Sequence, residues 1–169
     1  MIGGGAEMSS KVRITVMGFL LLAAALACAL SFSEMEPDFE IVDQGYVKEH
    51  VGNSGFVLVY VLGKDSFDGK SPFQGVPGGH IPGSINFPGS ELTIPGAAAA
   101  LARVGITKNV TVILYCAAGR SALQFAEALV KDFNFDDSKI KLYKGGIIDW
   151  AKSPFNKLEP EDHETGIEE

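Results

Sequence analysis

Residues 112–123 read VILYCAAGRSAL, and they join a buried strand, a tight loop and the start of a helix. The run from Val110 to Tyr115 is β-branched and apolar, which is typical of a strand buried on both faces. From Ser121 to Asp132 the apolar residues recur at helical spacing, so the sequence predicts a helix there with Ser121 as its N-cap. Cys116 ends the strand and begins the loop.

A loop of small residues between a strand and a helix predicts a site that holds an anion. The first backbone N–H groups of a helix have no partner within the helix, and the helix dipole adds partial positive charge. Arg120 adds a full positive charge a few residues from Cys116. Both effects favour the thiolate of Cys116, which is the nucleophilic form. Cys116 is therefore the candidate nucleophile, although cysteines that end buried strands are more often inert parts of a core.

Two further motifs lie on either side of this stretch, GHIPGSINFP at residues 79–88 and KGGIIDW at residues 144–150. Together with the Cys116 loop, and in the same order, these motifs resemble those of the rhodanese-like (sulfurtransferase) family. The resemblance extends from Phe39 to Phe155. It implies a structural role for His80, which would hold its turn by hydrogen bonds. It also implies that Cys116 is catalytic and that the substrate-binding loop consists of Ala117, Ala118, Gly119, Arg120 and Ser121.

The activity that this resemblance implies is sulfur transfer through a Cys116 persulfide. A sulfane sulfur would move from a donor such as thiosulfate to a thiophilic acceptor, a thiol or a cyanide-like molecule. The negative charge of the persulfide would be stabilised by the same loop amides as the thiolate. The loop from Cys116 to Ser121 has the length found in sulfurtransferases, whereas a related phosphatase class has one residue more and so makes room for a phosphate. We expect no cofactor.

Two departures from the family pattern keep another function open. Many members carry Asp-x-Arg at the end of the strand before the His-x-Pro-Gly turn, where this chain has Tyr60-Val61-Leu62. A charged pair is thus missing unless Lys64 or Asp65 takes its place, and Arg120 would be the only cation of the loop. The alternative is a catalytically weak or inert rhodanese-like binding or sulfur-carrier module. Phosphatase or arsenate-reductase chemistry on the same fold is a third hypothesis, which the loop length disfavours.

Strands that alternate with helices predict an α/β fold with a mainly parallel central sheet flanked by helices. The site then lies at the carboxyl end of a strand, as expected for open sheets of this kind. Residues 63–79 are rich in glycine and proline and predict a long loop that borders the site. Trp150 is expected in the core. The other predicted strands are Phe56–Val61, Ser84–Asn86 and Ile140–Tyr143, and the other helices are Tyr46–Val51, Gly96–Arg103 and a short one around Trp150.

Composition excludes several classes of function. The net charge of −7 disfavours binding to nucleic acid or to an anionic membrane surface. The three histidines, His50, His80 and His163, show no spacing of paired ligands, so no metal site is expected. Of the two cysteines, Cys28 lies in a predicted export segment, which leaves one thiol and no internal disulfide in the domain.

The N-terminal segment predicts export. Lys11 and Arg13 precede an apolar run at residues 14–32, a pattern typical of a secretory signal or a membrane anchor. We therefore assign residues 1–33 to a signal peptide or N-terminal anchor, residues 34–155 to the rhodanese-like domain and residues 156–169 to an acidic, disordered tail. The expected location is the periplasm, or the membrane if residues 14–32 remain as an anchor. A monomer is expected.

Overall fold

The computed structural model describes residues 37–160. The predicted export segment and the tail beyond residue 160 lie outside that range. Within residues 37–160 no helix has the length and apolar character needed to span a membrane.

The described chain forms one sheet of five strands, all parallel. Their order across the sheet is β1-β5-β4-β2-β3. The strands are β1 (Glu40–Ile41), β2 (Phe56–Tyr60), β3 (Ile85–Asn86), β4 (Thr111–Tyr115) and β5 (Ile140–Tyr143). The predicted α/β fold with a parallel central sheet is confirmed, and β4 holds the middle position because both of its faces are apolar.

Within residues 37–160, five helices and two short 3₁₀ turns accompany the strands. The helices are α1 (Gln44–His50), α2 (Lys64–Phe67), α3 (Ala97–Arg103), α4 (Arg120–Phe133) and α5 (Gly146–Trp150), and the 3₁₀ turns are Gly89–Thr93 and Asp137–Lys139. Residues 63–79, predicted as a loop throughout, contain α2 in their first part. The glycine and proline content that suggested a loop belongs to the residues after that helix.

The alternation of side chains along β4 divides the core into two clusters. Val112 and Leu114 point to the face covered by α3 and α4 and join a cluster that includes Phe125 of α4. Ile113 and Tyr115 point to the other face, where α1 and α5 pack. Trp150 of α5 lies in that second cluster with 5% of its surface exposed, so its predicted place in the core is confirmed.

The register of the strands brings their carboxyl ends to one edge of the sheet. Tyr60 pairs with Tyr115 in the β2–β4 ladder, and Tyr115 pairs with Tyr143 in the β4–β5 ladder. The residues that follow these tyrosines, Val61, Cys116 and Lys144, therefore begin their loops side by side.

The folded part of the chain continues past residue 155, where the sequence analysis placed the start of a tail. The backbone of Glu159 exchanges two hydrogen bonds with that of His80, at 2.7 and 2.8 Å. The indole N–H of Trp150 donates to the carbonyl of Lys157 at 2.9 Å. Residues 156–160 thus close over the turn that contains His80.

Tyr115 and Tyr60, two of the three buried tyrosines at the carboxyl edge, should respond differently to loss of their hydroxyl groups. The Tyr115 hydroxyl accepts from the N–H of Ile81 at 2.9 Å and lies 2.7 Å from the Ser84 hydroxyl, whereas the Tyr60 hydroxyl has no hydrogen-bond partner among the described residues. Tyr115→Phe leaves a buried N–H unpaired and should lower the free energy of unfolding by about 1–3 kcal/mol. Tyr60→Phe should be neutral or slightly stabilising. Denaturant unfolding of both variants measures the difference, and equal losses would contradict it.

Candidate active site

Cys116 follows β4 directly and its side chain is enclosed by the loop that comes after it. It is 3% exposed and is a free thiol. The backbone N–H of Gly119 donates to its Sγ at 3.0 Å. A hydrogen bond from an amide is stronger to a charged acceptor than to a neutral one, so this N–H is placed to bind a negatively charged group held at Cys116.

The loop is shaped by Gly119, which has a φ of 85°. A residue with a side chain rarely adopts this left-handed conformation, which here turns the chain directly into α4. The helix therefore begins at Arg120, and the prediction that Ser121 is its N-cap is wrong. Ser121 lies in the first turn of the helix instead. The N–H of Gly119, at the N-cap of α4, is the helix-terminal donor that binds the sulfur.

The other predicted loop residues differ in exposure. Ala117 is buried, whereas Ala118 and Arg120 are exposed. Arg120 forms no ion pair with any residue in the described part of the chain. Its charge is therefore available to an anion at the mouth of the loop.

A second segment, residues 144–148, supports the loop from the side of β5. The N–H groups of Ile147 and Ile148 donate to the carbonyls of Cys116 and Ala117, at 3.1 and 3.2 Å. Gly146 is in contact with these carbonyls, since a methyl group on it would lie 2.1 Å from the Cys116 oxygen. The absence of a side chain at Gly146, whose φ is 56°, is therefore what lets the two segments meet.

This second segment is held in turn by Asp149. Its carboxylate accepts a hydrogen bond from the Tyr143 hydroxyl at 2.9 Å, and Gln44 of α1 donates to its backbone carbonyl. The bond from Tyr143 is the main reason that the pKa of Asp149 is lowered, with Lys152 and Gln44 contributing in the same direction. Burial, together with the adjacent carboxylate, raises the pKa of Tyr143. Asp149 thus stays ionised and Tyr143 neutral. Their hydrogen bond joins α5 to the sheet, and the bond from Gln44 joins α5 to α1.

Lys144 is a functional candidate that the sequence analysis did not single out. A methyl group on Gly119 would lie 2.7 Å from the Lys144 carbonyl oxygen and 3.1 Å from its Cβ. Lys144 is therefore in van der Waals range of the residue whose amide binds the sulfur. It is exposed, and it comes from a different strand, so spacing along the chain did not reveal that it borders the loop.

The His80 side chain makes its contacts with Phe67 and Glu159 rather than with Cys116. Its Nδ1 is 2.8 Å from the carbonyl of Phe67, and its ring stacks on the Phe67 ring at 3.5 Å. Its Nε2 is 3.5 Å from the carboxylate of Glu159. These contacts hold α2 and residues 156–160 against the turn.

The charged pair missing from the end of β2 is not replaced by its neighbours. Lys64 pairs with Asp68 at 2.7 Å and Asp65 with Lys70 at 3.6 Å, and all four side chains are exposed. Tyr60 occupies the position of the missing acid and is fully buried. Burial is the main reason that the pKa of Tyr60 is raised to about 12. Negative charge on Cys116 also raises this pKa, whereas the Ser66 hydroxyl, which does not form a hydrogen bond with Tyr60, lowers it. A neutral phenol thus stands within electrostatic reach of the thiol.

Comparison with known proteins agrees with this geometry. Residues 42–153 match the model of the rhodanese-like domain. The chain belongs to the rhodanese-like family. Two of the three motifs that carry the resemblance, the Cys116 loop and residues 144–150, are in contact at the carboxyl edge of the sheet. No curated protein matches the sequence.

Solved structures of the same fold are distant in sequence. A variant of EanB bound to hercynine has a TM-score of 0.65 and 18% identity, over 73% of this chain and 28% of that one. Another EanB variant, with ergothioneine covalently linked to a persulfide cysteine, has a TM-score of 0.64 and 19% identity over 72% and 28%. The anaerobic ergothioneine biosynthesis enzyme of Chlorobium limicola, bound to trimethyl histidine, has 0.63 and 19% over 72% and 28%. This rhodanese-like chain thus spans little more than a quarter of their length.

A groove of about 410 Å³ lies along α4, from Ser121 in its first turn to Asp132 in its last. It runs between that helix and the 3₁₀ turn after β3. The polar side chains that line it include Ser90, Thr93, Ser121 and Gln124, and Leu62 and Leu92 contribute apolar surface. Of the predicted substrate-binding residues of this rhodanese-like domain, Ser121 lines the groove, whereas residues 116–120 do not.

Gly146→Ala should disrupt the site more than a similar change elsewhere. The added methyl group would overlap the carbonyl of Cys116 and would also strain a backbone with positive φ, so we expect the free energy of unfolding to fall by about 2–4 kcal/mol. Denaturant unfolding measures this loss. Gly63→Ala is the matched control, because nothing lies within 4 Å of a methyl group there. Similar stability of both variants would show that the loop does not depend on the close approach of Gly146.

Proposed function

We propose that this protein is a sulfurtransferase that moves a sulfane sulfur from a donor such as thiosulfate to a thiophilic acceptor through a Cys116 persulfide. The observation that supports this most directly is the hydrogen bond from Gly119 N–H to the enclosed Sγ of Cys116. It lies at the start of α4, a helix of 14 residues, whose partial positive charge acts in the same direction.

In the first half-reaction the Cys116 thiolate attacks the outer sulfur of the donor. A bond forms between the two sulfurs while the sulfur–sulfur bond of thiosulfate breaks, and sulfite leaves with the electron pair. The product is Cys–S–S⁻, so the negative charge stays within the loop. The Gly119 amide and the helix N-terminus are available to this charge before and after the transfer.

In the second half-reaction the acceptor attacks the outer sulfur of the persulfide. The bond between the two sulfurs breaks, and its electron pair returns to Cys116 as a thiolate. Persulfide chemistry on this fold is supported by the EanB structure that carries a persulfide cysteine, although that enzyme is far longer.

A second candidate function is a binding or sulfur-carrier module without turnover. The observation in its favour is Tyr60, which leaves the end of β2 without the charged pair that many family members have there. In that case Cys116 would be a buried thiol of low reactivity. The two functions differ in whether Cys116 takes up and releases sulfur.

Incubation with thiosulfate should add one sulfur, about 32 Da, to the intact protein. Cyanide should then remove the sulfur and release thiocyanate, since cyanide is a thiophilic nucleophile. Intact mass spectrometry and a thiocyanate assay measure the two steps. Cys116→Ser should abolish both, because a hydroxyl forms no persulfide.

Cys28→Ser is the matched control and should leave both steps intact. Phosphatase substrates should give no turnover with any of these proteins. If Cys116 took up no sulfur from thiosulfate or from organic persulfides, the binding module would replace the enzyme as the proposed function.

We further propose that residues 1–33 direct export of the domain, as a cleaved signal or as an anchor. The support is the basic flank at Lys11 and Arg13 before the apolar run. Residues 1–40 fused to a reporter that is active only after export should yield an active reporter. Replacing Ile14–Phe32 by a polar sequence of equal length is the control and should abolish that activity. A reporter that stays inactive with the native segment would rule export out.

A further inference from the structure

Two positive charges flank the reactive loop, although they come from different strands. Arg120 follows β4 and is the first residue of α4, and Lys144 directly follows β5. Both are exposed, and neither pairs with an acid among residues 37–160. The carboxylate nearest to Lys144 along the chain is Asp149, which is already engaged by Tyr143 and Lys152.

Gly119 connects these two charges to the sulfur. Its N–H binds Sγ of Cys116 at 3.0 Å, and Arg120 is the next residue. The Cα of Gly119 faces Lys144, since a methyl group on this Cα would lie 3.1 Å from the Lys144 Cβ. The lysine side chain therefore starts within one residue of the thiolate's hydrogen-bond donor. The flexible four-carbon stem of the lysine is long enough to bring its ammonium group to the mouth of the loop from there.

This local charge contrasts with that of the whole chain. The net charge of the whole chain is −7, but residues 37–160 hold 12 basic and 13 acidic side chains, so the domain is nearly neutral and offers anions no attraction at long range. An anion that approaches Cys116 must therefore gain its attraction near the loop, within about one Debye length, roughly 8–10 Å. Two unpaired cations at that distance supply it, whereas Arg120 alone would meet a donor of charge −2 with half the compensating charge.

On the basis of the proposed function, we propose that Lys144 and Arg120 together form a two-cation site that selects dianionic sulfur donors for Cys116. Lys144 is the specificity-determining residue that comes from outside the loop. Because each cation acts on the full charge of the donor, the effect of removing one should grow with that charge. The site also lowers the cost of bringing a dianion to a thiolate, which is itself negative.

The test compares two donors that share the same sulfane sulfur chemistry but differ in charge. Thiosulfate carries two negative charges and methanethiosulfonate carries one. Lys144→Gln should lower kcat/KM about tenfold for thiosulfate and about threefold for methanethiosulfonate, and added salt should reduce both losses. Lys144→Glu changes the charge by two, so the factor by which kcat/KM falls for each donor should be roughly squared. Lys108→Gln is the control, because it removes the same charge from an exposed lysine. Lys108 lies at the amino end of β4, which is the edge of the sheet opposite the loop.

A second measurement does not require sulfur transfer. Alkylation of Cys116 by iodoacetate, an anion, is compared with alkylation by the neutral iodoacetamide, and the peptide that contains Cys116 is quantified by mass spectrometry. The rate with iodoacetate divided by the rate with iodoacetamide does not depend on the amount of thiolate, because both reagents react with the thiolate. This ratio should fall about threefold in Lys144→Gln and remain unchanged in Lys108→Gln.

A ratio in Lys144→Gln equal to that in Lys108→Gln would overturn the two-cation site. So would equal losses for the two donors. A ratio that falls as expected, in a protein that takes up sulfur from no donor, would overturn the proposed function and leave the two-cation site as an anion-attracting feature of the loop.

Discussion

The contact between Gly146 and the carbonyl of Cys116 is the constraint on which the geometry of the site depends. The Cys116 loop has few side chains of its own to fix it, and it is held instead by two hydrogen bonds from residues 147 and 148. These bonds form only because the backbones approach within a distance that no side chain would allow. The resulting position of Gly119 then aims its N–H at the sulfur. A rigid backbone cradle of this kind stabilises an anion without having to reorganise around it.

The support for this contact reaches across the sheet. Asp149 joins α5 to Tyr143 and to α1, so the segment that braces the loop is tied to the core on the side opposite α4. Cys116 itself belongs to the cluster that α4 covers. The loop thus lies where the two halves of the core meet at the carboxyl edge. A disturbance on either side of the sheet is expected to reach it, because close-packed interiors transmit strain.

Tyr60 shows how this chain departs from the common family pattern without leaving a gap. A buried acid and its basic partner are exchanged for a neutral phenol and apolar neighbours, which avoids the cost of burying a charged pair. The positive charge of the site then comes from its rim, where Arg120 and Lys144 are exposed. An acidic protein with a locally positive site combines solubility with attraction of anions over a short range.

Much of this protein was predictable from the sequence, because hydrophobic period and glycine position are local properties. The apolar run before Cys116 predicted a central parallel strand, and the small residues after it predicted a tight turn into a helix. Contacts between distant segments were not predictable in this way. That the helix begins at Arg120 follows from the φ of Gly119, and the folding of residues 156–160 follows from pairing with His80. The place of Lys144 beside Gly119 was decided by tertiary structure alone, since the parallel register of β4 and β5 joins loops that are far apart along the chain.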